Sequence, residues 1–470
     1  MKERFDKVKR LLSEKFTLYP VLTGILFLVN ELRKNFVFFT VKESVSLILI
    51  VLAFTILIDF LSRKLVKNKI KAALIAVLFV FINLFYLDIF QILSSQKFLI
   101  EFINSTTSDH PEVIIIPILF FFWLTISYFI LRTKRSLESL NLYLNVLIIA
   151  FVLFEAIQCF IAPVPQIILA KNKPLPVNAD LKQEQKPDIY YIILDAYTSS
   201  ESLKKYWKYD NSKFEDSLKQ LGFNIAAHSK TDLTHTPYCL ASYLNSSSLI
   251  LDTKQHYNER NLLQLIRNNR LSDWLRANNY LCFNYSCFDS FGNNKYYKFF
   301  TYNHFLGRTI WYTNFYKLYH FLNPSSLVSR TNLEIFSKLN HLTEERHNKP
   351  IFTYAHVMMP HFPYYYNEYG KPYNKSDSLS DKQKYLGQLI YTNSLTLESI
   401  NDILASSPGK PIIIIQGDHG FRYLADTTLI EKSFETHTIF YASYAPNGIV
   451  IPDTINPANT FEELIQEINH

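Results

Sequence analysis

The chain changes character partway along, and this split constrains everything else. Up to about Pro163 it is dominated by Leu, Ile, Val and Phe; beyond Lys171 it becomes a mixed polar and apolar sequence rich in Tyr, Asn, Ser and His. One aqueous core cannot take up both halves, so two solvents are implied. A helix crossing a bilayer takes ~20 predominantly apolar residues. The first half offers five such runs: Phe16–Asn30, Ser44–Leu61, Ala72–Leu93, Val113–Leu131 and Leu142–Ile161. The first is the weakest, being short and holding Pro20. It has no small-residue cleavage site after it, so it reads as an anchor rather than a leader.

The net charge of +7 is concentrated at the ends of these runs, in Lys2–Lys15, Arg63–Lys71 and Arg132–Arg135. Clusters so placed orient a membrane protein; they do not form a groove for nucleic acid, which is excluded as a partner. The segment Ser94–Glu112 carries only Lys97 against three acidic residues, although Arg33, Lys34 and Lys42 weaken the alternation at the first outer loop. By the positive-inside rule the N-terminus is cytoplasmic, and five crossings put everything after Pro163 outside. The expected organisation is a membrane anchor over 1–161, a proline-bearing tether over 162–186 and a globular domain over 187–470. Asp88 and Glu155 fall inside apolar runs near their outer ends, where reaching the interface is a simpler reading than a polar path.

From Pro187 short apolar runs alternate with helical stretches. Ile189–Asp195, Asn224–Ala227, Tyr280–Tyr285, Ile351–His356, Pro411–Gly417 and Thr438–Tyr444 read as strands, with helices over Ser202–Leu221 and Asn261–Asn278 among the connections. Several are apolar throughout, as strands covered on both faces are. The pattern predicts an α/β domain with a central, mostly parallel sheet, whose chemistry lies beyond the carboxyl ends of the strands. Two strands end in polar residues: Ile189–Leu194 runs into Asp195, and Ile412–Ile415 runs through Gln416 and Gly417 into Asp418-His419-Gly420. Such ends supply O and N ligands for a divalent cation, or cap a helix, and Gly417 and Gly420 would let the backbone approach the ion. The cysteines Cys159, Cys239, Cys282 and Cys287 form no CxxC pair; Cys282 and Cys287 are close enough in sequence to pair, which spacing alone does not decide.

Three motifs, Pro187–Asp195, Ala355-His-Val-Met-Met-Pro-His-Phe-Pro-Tyr364 and Ile414-Ile-Gln-Gly-Asp-His-Gly420, resemble the sulfatase-like branch of the alkaline phosphatase superfamily. That branch includes membrane-anchored phosphoglycerol and phosphoethanolamine transferases. The resemblance implies an alkaline-phosphatase-like fold and a bacterial inner-membrane enzyme with an extracytoplasmic catalytic domain. It also implies a covalent ester on a Thr, Ser or modified Cys lying between the metal motifs. In the corresponding stretch Thr231–Asn245 it points to Thr236, with Thr234 as runner-up; Thr236-Pro237 equally reads as a helix start. It gives His361 a role on the substrate's anionic group or leaving oxygen, and one cation held by Asp195, Thr236, Asp418 and His419, with Mn or Zn best suited to these donors. His356, His437 and Asn284 are weaker candidates for substrate contact, and a packed strand residue is an equal reading for His356.

The chain departs from the family pattern in three ways. Cys239 is followed by Leu-Ala-Ser, so the Cys-x-Pro-x-Arg motif of true sulfatases is absent. Ala196 stands where many members have a second acidic residue, which favours one cation. The stretch Cys282–Asn294 offers Asn284, Asp289 and Asn293 but no His. The expected function is a hydrolase or transferase of phosphate-type, or sulfate, esters with a membrane lipid or an envelope glycan or polymer as substrate. The alternatives are an inactive envelope protein that binds an anionic polymer or scaffolds partners, and a transporter, which the few charges in the spans disfavour.

Overall fold

The computed structural model describes residues 16–35, 41–94, 96, 112–161, 186–247, 259–288, 290, 309–310, 313–315, 317–318, 327–340, 349–374, 377–407, 409–422, 429–445, 452 and 454–468. The basic cluster before residue 16, the connection 97–111, the tether 162–185, Asp289 and Asn293 lie outside them. The chain forms two compact units, Met1–Val164 with Thr301–Pro324, and Pro165–Phe300 with Ser325–His470.

The first unit is helical: α1 (Tyr19–Asn35), α2 (Val41–Leu65), α3 (Lys69–Leu84), α4 (Tyr86–Ser94), α5 (Glu112–Arg132) and α6 (Glu138–Ile161). Within α2, α5 and α6, three stretches are long and apolar enough to cross a membrane: Ser44–Leu65, Ile114–Arg132 and Glu138–Cys159. The run Ala72–Leu93, expected as one span, is broken between α3 and α4 by a 73° bend; counted as one broken span it makes a fourth. The bend goes with an ion pair, for Asp88 on α4 meets Lys34 of α1 at 3.0 Å. The 17-residue α1 is about 25 Å long, short of a ~30 Å hydrocarbon core. It packs against α2, α3 and α6. Near its end Arg33 pairs with Glu155 of α6 at 2.5 Å, so both acidic residues flagged in apolar runs have basic partners. From the returning segment, Asn314 donates to Asn83 Oδ1 and Phe315 packs edge-on against Phe54.

The second unit is built on a six-stranded sheet of order β2-β6-β5-β1-β4-β3. Its strands are β1 (Ile189–Leu194), β2 (Asn224–Ile225), β3 (Leu281–Tyr285), β4 (Ile351–Val357), β5 (Ile412–Gly417) and β6 (Tyr441–Tyr444). The β1–β4, β1–β5 and β3–β4 pairs are parallel; β5–β6 and β2–β6 are antiparallel, so the sheet is mixed, with a parallel centre. Every residue of β1, β4 and β5 is buried. Side chains alternate across β1: Tyr190, Ile192 and Leu194 join the main core, whereas Tyr191 stacks on Tyr354 and meets Phe461 edge-on. Each fully buried apolar side chain of this kind contributes about 1.5–3 kcal/mol.

The helices used below are α7 (Ser200–Trp207), α8 (Ser212–Gln220), α9 (Thr236–Tyr243), α10 (Glu259–Arg267), α11 (Arg270–Ala277), α12 (Leu327–Asn340), α13 (Asp381–Ser406), α14 (Leu429–His437) and α15 (Thr460–Ile468). Ser380 caps α13 in a capping box with Gln383. Gly417 and Gly420 are needed for close approach, but to protein backbone rather than to an ion. A Cβ on Gly417 would overlap the Tyr197 carbonyl, and one on Gly420 the Glu435 carbonyl. The four cysteines are free thiols, Cys282 and Cys287 included.

Candidate metal centre and active site

Strand register brings the motif residues to one level. Leu194 of β1 is opposite Gly417 of β5 and Val357 of β4, so Asp195 and Asp418 leave adjacent strands side by side. Both carboxylates are buried. Asp418 Oδ1 accepts from the N–H groups of Ala196, at 3.0 Å, and His419, at 2.9 Å. Ala196 turns its N–H there from a left-handed conformation, φ 60°. The other oxygen, Asp418 Oδ2, and Asp195 Oδ1 are buried with no hydrogen-bond partner. Unpartnered buried carboxylate oxygens are costly, and an ion at the site is one of the few things that satisfies them.

The third group at this point is His419. Its Nδ1–H donates to the Gly420 carbonyl at 2.7 Å, which leaves Nε2 with its lone pair. That Nε2 stands 3.7 Å from Asp195 Oδ1, 3.6 Å from Asp418 Oδ2 and 3.5 Å from Thr236 Oγ1. Ligands ~2.0–2.2 Å from a tetrahedral ion lie about 3.3–3.6 Å from one another. The three separations from His419 Nε2 suit ligands of one cation, and among the described residues the groups whose ligand atoms all lie within 4.8 Å of one another are Asp195, His361 and His419, and Asp195, His356 and Asp418.

Thr236 opens α9, with Pro237 in the first turn and His235 as the N-cap residue. Its hydroxyl, rather than that of Thr234, lies beside His419, at a helix N-terminus that favours anions. Three residues on, Cys239 is fully buried, and burial together with the Asp418 charge pushes its thiol well above the usual range. It is a packed thiol, not a thiolate nucleophile.

His356 Nε2–H donates to Asp195 Oδ2 at 3.3 Å, its Nδ1 accepts from the Tyr354 hydroxyl, and its ring stacks under Phe288. Burial raises the Asp195 carboxyl, but the surrounding imidazoles of His361, His356 and His419 outweigh it, so the net shift is well below the usual carboxylate range. His361 lies in the loop after β4; its backbone N–H donates to the Asp195 carbonyl and its ring is 6.1 Å from that of His419. Gln388 of α13 fixes that loop, donating to the Pro360 and His361 carbonyls and accepting from the Tyr365 and Tyr366 N–H groups.

The remaining two sequence candidates have contacts of another kind. The Asn284 amide donates to the Phe288 and Ser290 carbonyls, and its oxygen accepts from Ser286, so it shapes the turn that sets Phe288 on His356. His437 hydrogen-bonds through Nδ1 to the Ser433 carbonyl within its own helix. Two residues went unnoticed in the sequence. Arg422 donates from Nη1 to His235 Nδ1 at 2.7 Å and from Nη2 to His361 Nε2 at 2.8 Å. A basic residue two positions after Asp-His-Gly was the available signal.

Residues 216–444 match the family model described as Sulfatase, a span that holds Thr236, His361, Asp418 and His419 and leaves Asp195 just before it. No curated protein matches the chain. Among solved structures, the C-terminal periplasmic domain of phosphoethanolamine transferase EptC from Campylobacter jejuni is 14% identical, with 60% of this chain and 89% of that one covered and a TM-score of 0.39. The periplasmic domain of EcEptC from Escherichia coli, in complex with Zn, is 13% identical over 58% and 77%, with a TM-score of 0.36. A protein in the alkaline phosphatase superfamily from Vibrio parahaemolyticus is 14% identical over 60% and 66%, with a TM-score of 0.37. Residues 216–444, just under half of the chain, thus form a sulfatase-type domain, and the chain is an enzyme of the kind that hydrolyses or transfers esters.

Proposed function

We propose that this protein is a membrane-anchored, metal-dependent hydrolase or transferase of phosphate-type esters that works through a covalent intermediate on Thr236. One observation carries the reading: two buried carboxylate oxygens without hydrogen-bond partners and the Thr236 hydroxyl all lie 3.5–3.7 Å from the Nε2 of His419. Asp195, Thr236, Asp418 and His419 would hold a divalent cation, and the spacing and the mixed O and N donors favour Zn, with Mn next. When bound, the ion lowers the pKa of a coordinated hydroxyl and neutralises charge on the central group.

The protein's own residues do the rest. Thr236 Oγ1 gives up its proton and forms a bond to phosphorus as the bond to the leaving oxygen breaks, and the proton lost by Thr236 balances the one the leaving oxygen takes up. The N-terminus of α9 favours the negative charge of the group being transferred. His361, at the mouth of the site, serves the leaving oxygen, which departs with a proton. Water or an acceptor hydroxyl then takes the group from Thr236, and the choice between them separates hydrolase from transferase. The apolar helices of the first unit support a membrane lipid or an envelope glycan as the natural substrate. The charge pattern supports a cytoplasmic N-terminus and an extracytoplasmic catalytic domain, with 1–161 as anchor, 162–186 as tether and 187–470 as the catalytic part, apart from the returning segment.

The test uses the full chain in detergent with Zn or Mn, assayed on p-nitrophenyl phosphodiester, monoester and sulfate. Metal-dependent turnover is expected, falling to background in Thr236→Ala with metal binding measured alongside. Undiminished turnover by that variant would remove Thr236 as nucleophile. Absence of both turnover and bound metal would leave a silent envelope protein.

A further inference from the structure

We propose that Arg422 is the receptor for a non-bridging oxygen of the substrate's anionic tetrahedral group, with His235 holding its guanidinium in place; this deepens the reading above and rests on it. Arg422 follows Asp418, His419 and Gly420 on the same strand-end loop. Its two terminal nitrogens donate to His235 and to His361, so the guanidinium spans from one residue to the other. His235 immediately precedes Thr236, and the His361 ring is 6.1 Å from that of His419, whose Nε2 faces the Thr236 hydroxyl at 3.5 Å. The guanidinium thus bridges the residue before the proposed nucleophile and a histidine whose ring lies beside that of His419.

The charge balance calls for such a group. Asp195 and Asp418 already offset a divalent cation, so an anionic ester entering the site brings charge that the buried ligands do not neutralise. Arginine suits this role because its planar fork presents donors at fixed angles and stays protonated. Hydrogen bonds from a guanidinium to an oxyanion are stronger than those to a neutral acceptor. A phosphate oxygen therefore displaces imidazole nitrogen as the acceptor. Being half-buried and held at both ends, Arg422 loses less freedom on binding than a loose surface side chain. The ligand class is a tetrahedral oxyanion, and an uncharged ester gains nothing from this contact.

The experiment titrates inorganic phosphate into the zinc-loaded full chain in detergent, by calorimetry, for the wild type, Arg422→Gln, Arg422→Lys and His235→Ala. Zinc stoichiometry and turnover of bis-p-nitrophenyl phosphate are measured on the same samples, with Thr236→Ala as the reaction control. Arg422→Gln should weaken phosphate by roughly tenfold or more and raise KM, with zinc stoichiometry unchanged. Arg422→Lys should restore part of the affinity, and His235→Ala should lose less than Arg422→Gln. Unchanged phosphate affinity in Arg422→Gln would overturn this assignment even if Thr236→Ala is inactive. Loss of zinc in Arg422→Gln would overturn it too, by making the residue structural. Turnover by Thr236→Ala, with phosphate binding still dependent on Arg422, would refute the covalent route and leave the receptor standing.

Discussion

Replacing Asp418 by Asn should make the metal-free protein more stable and the metal-loaded protein relatively less so. Ligand oxygens of Asp195 and Asp418 lie within 4.8 Å of each other. At an effective dielectric of ~20 their repulsion at that separation is about 3 kcal/mol. Asn keeps an oxygen for the Ala196 and His419 N–H groups and carries no charge, so the repulsion is removed. At roughly 2–4 °C per kcal/mol for a domain of this size, the melting temperature should rise on the order of 5–10 °C. Zinc at ~100 times its Kd should then add about 2.7 kcal/mol to the wild type and nothing to the variant. The assay is thermal unfolding of the full chain in detergent at pH 8, with chelator and with zinc. An Asp418→Asn protein that melts below wild type in chelator would refute the picture of two unsatisfied carboxylates, whatever its activity.

Two further outcomes follow from groups near the site. Burial pushes the Glu435 carboxyl up to about 7, against hydrogen bonds from Trp207 and Thr198. The folded chain thus holds this proton more tightly than the unfolded one, whose value is ~4.3; the stabilisation is full below that pH and is lost as pH rises through 7. Glu435→Gln should therefore match wild type near pH 4 and exceed it by roughly 3 kcal/mol at pH 8, as a pH series of melting curves would read; an equal offset at both pH values would refute it. At Ala196, held at φ 60° and buried, Val should cost about 2 kcal/mol and weaken zinc, whereas Gly should leave zinc affinity unchanged. Zinc titrations of both variants test this, and a Val variant with wild-type affinity would show that the Ala196 turn does not position Asp418.

The parts of this architecture written in local chemistry were legible beforehand. β1 and β5 announce themselves as unbroken apolar runs because both faces are covered, and Asp195 and Asp418-His419 stand out as the polar residues that end them. What was not legible depends on partners distant in sequence. The break after Leu84 cannot be read from an apolar run when Lys34, 54 residues before Asp88, supplies the pairing. The antiparallel edge rests on β2, only two residues long, too short to carry a pattern. Asn284 looked available for substrate because its fixed partners, the Phe288 and Ser290 carbonyls, are backbone atoms that no side-chain pattern reveals. Arg422 was passed over because its significance lies in His235 and His361, which precede it by 187 and 61 positions.

The pairing of Leu194 with Gly417 has a bearing on biogenesis as well as on chemistry. A slip of one residue between β1 and β5 would shift their ends by ~3.3 Å and turn every side chain of the slipped strand to the opposite face. The two aspartates would then no longer leave the sheet side by side. A misaligned sheet would lack the proposed metal site, so an ion bound there would stabilise only the correctly threaded chain, and loading it would inspect the product of folding before any substrate arrives.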